Sequence, residues 1–180
     1  MKVFRCAICG EVYLGAKAPS RCPYCGADSE HLIDTRDYDV NTNDIEVTDS
    51  EREDIVKAIA LEVHDSRWYI TMSKRDKDSA LGSAFKRLSK VEQEHCELFC
   101  KLIKVDEPEN LTDEIEGVEE WCGDIVKAIE AEGGAAKYYR EVSERATNER
   151  VREVFAAIAD VELDHVETNK FLAEIADCDL

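Results

Sequence analysis

Residues 91–97 read VEQEHCE and residues 161–167 read VELDHVE. The interval of 70 between them organises the whole helical part of the chain. Residues 55–59 and 125–129 are both IVKAI, and the same offset aligns Glu62 with Glu132, Tyr69 with Tyr139, Ser73 with Ser143 and Phe85 with Phe155. Without a gap, 14 of the 46 positions from 55 to 100 are identical to those 70 residues on, far above chance even in a sequence rich in Glu and Ala. A repeat of this length is one supersecondary unit written twice. Thr48-x-x-Glu51 is a capping box, and Ile55, Ile59, Val63, Trp68 and Met72 follow near helical spacing, so a helix is expected over 51–74. Phe85, Leu88, Val91, Leu98 and Leu102 mark a second helix that ends before Pro108, and DEPENLTDEIEG (106–117) leads to a third over 118–145. Ala146-Thr147-Asn148 separates it from a fourth over 149–176. Two helical hairpins joined by a longer crossover make a four-helix bundle.

Ahead of the bundle stands Cys6-x-x-Cys9, twelve residues, then Cys22-x-x-Cys25, with Gly10 and Gly26 after each pair. Two such knuckles form a tetrahedral thiolate site, and the glycines let the backbone turn its amides toward sulfur. A segment this short has too little core to fold unaided, and a metal held by four cysteines would close it. The domains expected are a metal module over 1–34, a linker over 35–50 with one short strand, and the bundle over 51–180.

With 41 acidic residues against 23 Lys and Arg, the net charge is −18, a field that repels phosphate backbones and anionic lipid headgroups. Neither nucleic acid nor a membrane surface is an expected partner. No apolar run reaches the roughly 20 residues of a membrane span, and MKVFRC opens without a signal-peptide core, so a cytoplasmic location is expected. Eight cysteines then point to metal ligation rather than disulfides. Cys96, Cys100, Cys122 and Cys178 are read as packing residues.

Each repeat carries one lone Glu and, 30 residues later, a Glu-x-x-His: Glu62 with Glu92 and His95, then Glu132 with Glu162 and His165. Residues three apart share a helix face, so each second helix aims a carboxylate and an imidazole at one interior point. Four buried carboxylates are prohibitive without cations, and two divalent ions would balance them. Oxygen ligands with one imidazole per ion suit iron, with manganese or zinc as alternatives. The arrangement is also the known ligand pattern of ferritin-like di-metal proteins. Tyr69 and Tyr139, two turns beyond Glu62 and Glu132, are candidates to hydrogen-bond a ligating carboxylate. Glu94, Glu130 and Glu141 are assigned to the solvated face, as are Glu97 and Glu167, and His64 is read as a surface or partner-facing histidine. Gly133 and Gly134 read either as room for small-molecule access or as sites of close helix packing.

The knuckles CAICG (6–10) and CPYCG (22–26) resemble the shortened rubredoxin-type domain of the rubrerythrin family, and the two Glu-x-x-His helices resemble its ferritin-like di-iron bundle. With the cysteine module first, the order is that of the family's reverse form. The resemblance implies a mainly α fold and a di-iron oxidoreductase that reduces hydrogen peroxide, or dioxygen, in oxidative-stress defence. Electrons would pass through iron at Cys6, Cys9, Cys22 and Cys25, with zinc as the alternative metal there. An external reductase would supply them, since no dinucleotide fingerprint is present. A homodimer is expected. Members of the family with peroxidase activity usually carry a further Glu one turn after the lone Glu of the third helix, a carboxylate linked there to iron moving between ligands as its oxidation state changes. Ala135 stands there instead, with Asp65 at the equivalent place in the first repeat. The competing functions are a ferroxidase and a zinc-stapled acidic scaffold.

Overall fold

A computed structural model describes every residue from Met1 to Leu180. The N-terminal module is a three-stranded antiparallel sheet, β1 (Lys2–Cys6), β2 (Val12–Gly15) and β3 (Leu32–Asp34), ordered β2-β1-β3. So small a sheet has little stability of its own. Residues 35–48 hold a single 3-10 turn at Thr35–Asp37 followed by turns and extended chain; the short strand expected in this linker is absent, the last strand, β3, ending at Asp34. This segment is not loose: the Arg5 guanidinium lies 4.2 Å above the Tyr38 ring, and Ile45 and Val47 pack against the bundle core.

Four helices follow: α1 (Asp49–Arg75), α2 (Ala80–Ile103), α3 (Trp121–Arg145) and α4 (Glu149–Ile175). The Thr48 capping box is formed on both sides, so α1 starts at Asp49, two residues before the expected start. Glu120 caps α3 by accepting from Gly123 N, which keeps the chain before Trp121 out of the helix, and Asn148 caps α4 through Arg150 N and Val151 N. α1 packs along α2 and α3 along α4, as two hairpins. The crossover over 104–120 lies on α1, where Leu111 O accepts from Ser66 Oγ at 2.7 Å and Ile115 N donates to Thr71 Oγ1 at 3.1 Å. No helix is long and apolar enough to cross a membrane.

The apolar core is in two parts. One contains Ile55, Ala58, Phe99, Leu102, Val142, Val151, Phe155 and Ile158, and the module adds Ile8, Ala27 and Leu32 to it. The other contains Tyr69, Met72, Leu81, Phe85, Ile125 and Leu172. Each buried Val, Leu, Ile, Phe or Met among them contributes about 1.5–3 kcal/mol by leaving water. On every helix the two apolar stretches are separated by the Glu or Glu-x-x-His positions, so those polar side chains form a layer across the middle of the bundle.

One expectation about cysteine is corrected: Cys122 and Cys178 are joined by a disulfide across 56 residues, tying the start of α3 to the chain after α4. Cys96 and Cys100 are buried free thiols packed with Leu111.

Candidate metal centres

In the module, each knuckle closes through an amide of its glycine: Gly10 N donates to Cys6 O at 2.9 Å and Gly26 N to Cys22 O at 3.0 Å. Both glycines need positive φ, +88° and +78°. The four sulfurs converge in burial, with Cys6 Sγ 3.8 Å from Cys25 Sγ and Cys9 Sγ 3.9 Å from Cys22 Sγ. A tetrahedral metal about 2.3 Å from each sulfur requires edges of about 3.8 Å, so the set fits such an ion. Crowding splits the thiols: donation from Cys25 drives Cys22 far down, whereas Cys9, which shares its proton with Cys22, is driven far up.

In the bundle, the structure brings Glu62, Glu92, His95 and Glu162 together as one group and Glu92, Glu132, Glu162 and His165 as another. All six side chains are buried. Glu92 and Glu162 belong to both groups. Glu92 Oε2 lies 3.0 Å from His95 Nδ1 while its Oε1 lies 3.0 Å from His165 Nδ1, and Glu162 divides its oxygens in the same way at 3.1 and 2.9 Å. Glu62 Oε2 stands 3.5 Å from His95 Nδ1 and Glu132 Oε1 3.7 Å from His165 Nδ1. The repeat has therefore become a near-twofold pair of half-sites that share two carboxylates.

The carboxylate oxygens of Glu92 and Glu162 and both Nδ1 atoms are buried without a hydrogen-bond partner. Orphaned polar atoms at this density are costly, and cations between them remove the cost. The charge balance points the same way. Burial, and then Glu162 or Glu92, pushes Glu62 and Glu132 well above the usual carboxylate range. Burial opposes charge on the histidines too, yet the surrounding carboxylates push both upward, and the imidazoles hold Glu92 and Glu162 down against the same burial. The cluster needs positive charge at its centre, and oxygen and imidazole donors fit iron or a similar metal.

The two tyrosines cross between hairpins. Tyr69 on α1 donates to Glu132 Oε1 on α3 at 2.5 Å, and Tyr139 on α3 donates to Glu62 Oε1 on α1 at 2.6 Å. Each phenol fixes one carboxylate: Glu62 gives Oε1 to Tyr139 and turns Oε2 to His95, whereas Glu132 presents the same Oε1 to both Tyr69 and His165. Asn169 Nδ2 donates to the Tyr69 hydroxyl at 2.6 Å, a contact invisible in the repeat because Phe99 occupies the equivalent place.

The two centres touch. His95 Nε2 lies 2.9 Å from the carbonyl oxygen of Cys25. A carbonyl can only accept, so a proton sits on Nε2, which leaves Nδ1 aimed at the carboxylates, where it could ligate an ion. The module is held there by Arg150, which donates to Ile8 O at 2.6 Å and Asn43 Oδ1 at 2.9 Å, and by an Arg21–Asp164 ion pair at 2.7 Å.

Several side chains depart from expectation. Glu94 is half-buried beside the module rather than solvated, and burial, followed by Glu97 and Glu11, pushes its carboxyl up to about 7. His64 pairs with Asp65 at 2.9 Å and stacks on Trp68 at 5.8 Å. Asp65 is turned to that partner and stands outside both groups. Together with Lys127, Ala128 and Ala131 these residues line a cavity of about 210 Å³ that reaches Tyr69 and Glu132. Gly133 and Gly134 do not line it, and an added Cβ at either meets nothing within 4 Å, so neither is required for close packing.

Comparison with known proteins matches residues 4–32 to the family model for the rubredoxin-like domain of rubrerythrin and residues 125–177 to the rubrerythrin model. Reverse rubrerythrin-1 of Clostridium acetobutylicum is 27% identical over 113 residues, a match covering 57% of this chain and 62% of that protein. The match thus spans less than two thirds of that relative's length. No solved structure matches. These similarities support an iron-related redox role.

Proposed function

From a chain with a rubrerythrin-type rubredoxin-like module ahead of a rubrerythrin domain, the reverse-order form of that family, we propose an iron-dependent peroxidase. Hydrogen peroxide is its substrate, reduced to water at the carboxylate–histidine cluster. Iron at Cys6, Cys9, Cys22 and Cys25 relays electrons from an external reductase. The observation that carries this reading is the hydrogen bond from His95 to the Cys25 carbonyl, which joins a residue of one centre to a residue of the other through one polar contact.

Glu62, Glu92, His95 and Glu162 would hold one iron, and Glu132, Glu92, Glu162 and His165 the other. The bound pair supplies two reducing equivalents and Lewis acidity. The protein supplies the frame. Glu92 and Glu162 span both half-sites and keep them at a fixed separation. The phenols of Tyr69 and Tyr139 prevent Glu132 and Glu62 from rotating away. Burial excludes bulk water. The cavity past His64 and Trp68 reaches Glu132 and, at about 210 Å³, has room for a small oxidant together with water.

A ferroxidase reading draws on Ala135, which is buried and places no further carboxylate near Glu132. The two readings part on what is consumed. Glu162→Ala is expected to strip the cluster of metal, leave the four-cysteine metal in place by elemental analysis, and abolish peroxide consumption by the reduced chain. Unchanged peroxide consumption in that variant would overturn the peroxidase assignment. Oxidation of added ferrous iron by the parent chain, with peroxide left unconsumed, would favour the ferroxidase.

A further inference from the structure

The polar layer leaves one sulfur centre on either side of it. The cysteine module joins the first apolar cluster, and Cys178 and Trp121 each pack against the second. Between that second sulfur centre and the cluster runs a column of aromatic rings. Tyr69, whose hydroxyl donates to Glu132, stacks on Phe85 with ring centres 5.9 Å apart and planes 14° apart. Phe85 stacks on Trp121 at 5.5 Å and 17°. Trp121 is followed in sequence by Cys122, and the Arg75 guanidinium covers the indole at 4.5 Å.

The repeat supplies an internal control. In the other half Tyr139 meets Phe155 edge-on, at 78°, and position 51, the counterpart of Trp121, is a capping glutamate. The internal symmetry therefore requires neither the parallel stack nor the indole. Six cysteines are free while this one pair is joined. Surroundings that keep four thiolates available for a metal also reduce an accessible disulfide, and Cys122 and Cys178 are both only half-buried.

We infer that Cys122 and Cys178 form a redox-active dithiol–disulfide pair, a second electron store for the bundle, connected to the Glu132 side of the cluster through Trp121, Phe85 and Tyr69. The inference rests on the peroxide-reducing reading of that cluster. In the reduced state the two thiols give up two electrons and two protons as the S–S bond forms. Hydrogen peroxide takes up two electrons and two protons, its O–O bond breaks, and two waters leave. An external dithiol reductant resets the pair by thiol–disulfide exchange.

The test uses the full iron-loaded chain, reduced with a small dithiol, freed of it anaerobically, and titrated with hydrogen peroxide. Peroxide consumption is followed separately from the state of Cys122 and Cys178, which is read by alkylation and mass spectrometry. The expected result is return of the disulfide in the iron-loaded chain, and loss of that return both in metal-free chain and in Trp121→Leu. Circular dichroism confirms that the variant is folded, and the metal-free comparison needs no variant. Peroxide consumed while the pair stays alkylatable would overturn the inference and leave the peroxidase reading standing. Equal return in metal-free chain would overturn it in favour of direct thiol oxidation. No peroxide consumption by the loaded chain would remove the peroxidase reading, and this inference with it.

Discussion

His95 faces both centres with its two ring nitrogens, Nδ1 toward the carboxylates of Glu92 and Glu162 and Nε2 toward the Cys25 carbonyl. That double engagement depends on how closely the second knuckle approaches α4. Gly26 sets the approach: its φ is +78°, and a Cβ there would lie 2.7 Å from Val161 Cγ1. Gly26→Ala would force a left-handed backbone on a residue with a Cβ, at about 1–2 kcal/mol, and press the knuckle away from the helix. The expected outcome is a lower urea midpoint and slower electron transfer between the centres, with Val161→Ala in the same chain restoring part of the rate. The knuckle glycine was legible in the sequence from its place after Cys25. Its contact with Val161 was not, because nothing local tells which helix face a separate module will cover. The same limit explains Glu94, which reads as one more surface carboxylate until the module is laid against α2.

At the level of elements, the repeat made the two hairpins and their ligand positions readable, since a Glu and a Glu-x-x-His at one offset constrain facing and pairing together. The capping box was readable too, but only as a local device. Glu51 also accepts at Oε1 from Thr147 N and Asn148 N, both at 2.8 Å, pinning the α3–α4 turn to the start of α1 from nearly a hundred residues away. Burial opposes the charge, yet these amides, with the amide and hydroxyl of Thr48, hold the carboxyl down to about 2 from an ordinary 4.5. A depressed folded value means that the stabilisation is complete above the unfolded value and is lost as pH falls through the folded one. It amounts to roughly 3 kcal/mol, present above about pH 4.5 and gone near pH 2. Glu51→Gln should therefore lose about that much in urea unfolding at neutral pH and match the parent near pH 2. A difference that persists unchanged at pH 2 would assign the effect to packing instead.

For the whole molecule, the ordering of centres follows from the two-part core: a thiolate site docked on one apolar cluster, the carboxylate–histidine layer in the middle, and the Cys122–Cys178 disulfide against the other. Cysteine counting separated the four knuckle residues from the rest but could not pair Cys122 with Cys178, because connectivity depends on which helix ends meet in space. The direct contact between the first two centres was equally beyond the sequence, being made by a backbone carbonyl. It is also the contact on which the functional proposal turns. The most direct measurement takes the iron-loaded chain, reduced anaerobically, mixes it rapidly with hydrogen peroxide, and follows the red absorbance of ferric iron in the four-cysteine site over a range of protein concentrations. Transfer within one chain predicts that the colour returns at a rate independent of protein concentration and fails to return in Glu162→Ala. A colour that does not return in the parent chain, or returns at a rate proportional to protein concentration, would contradict it.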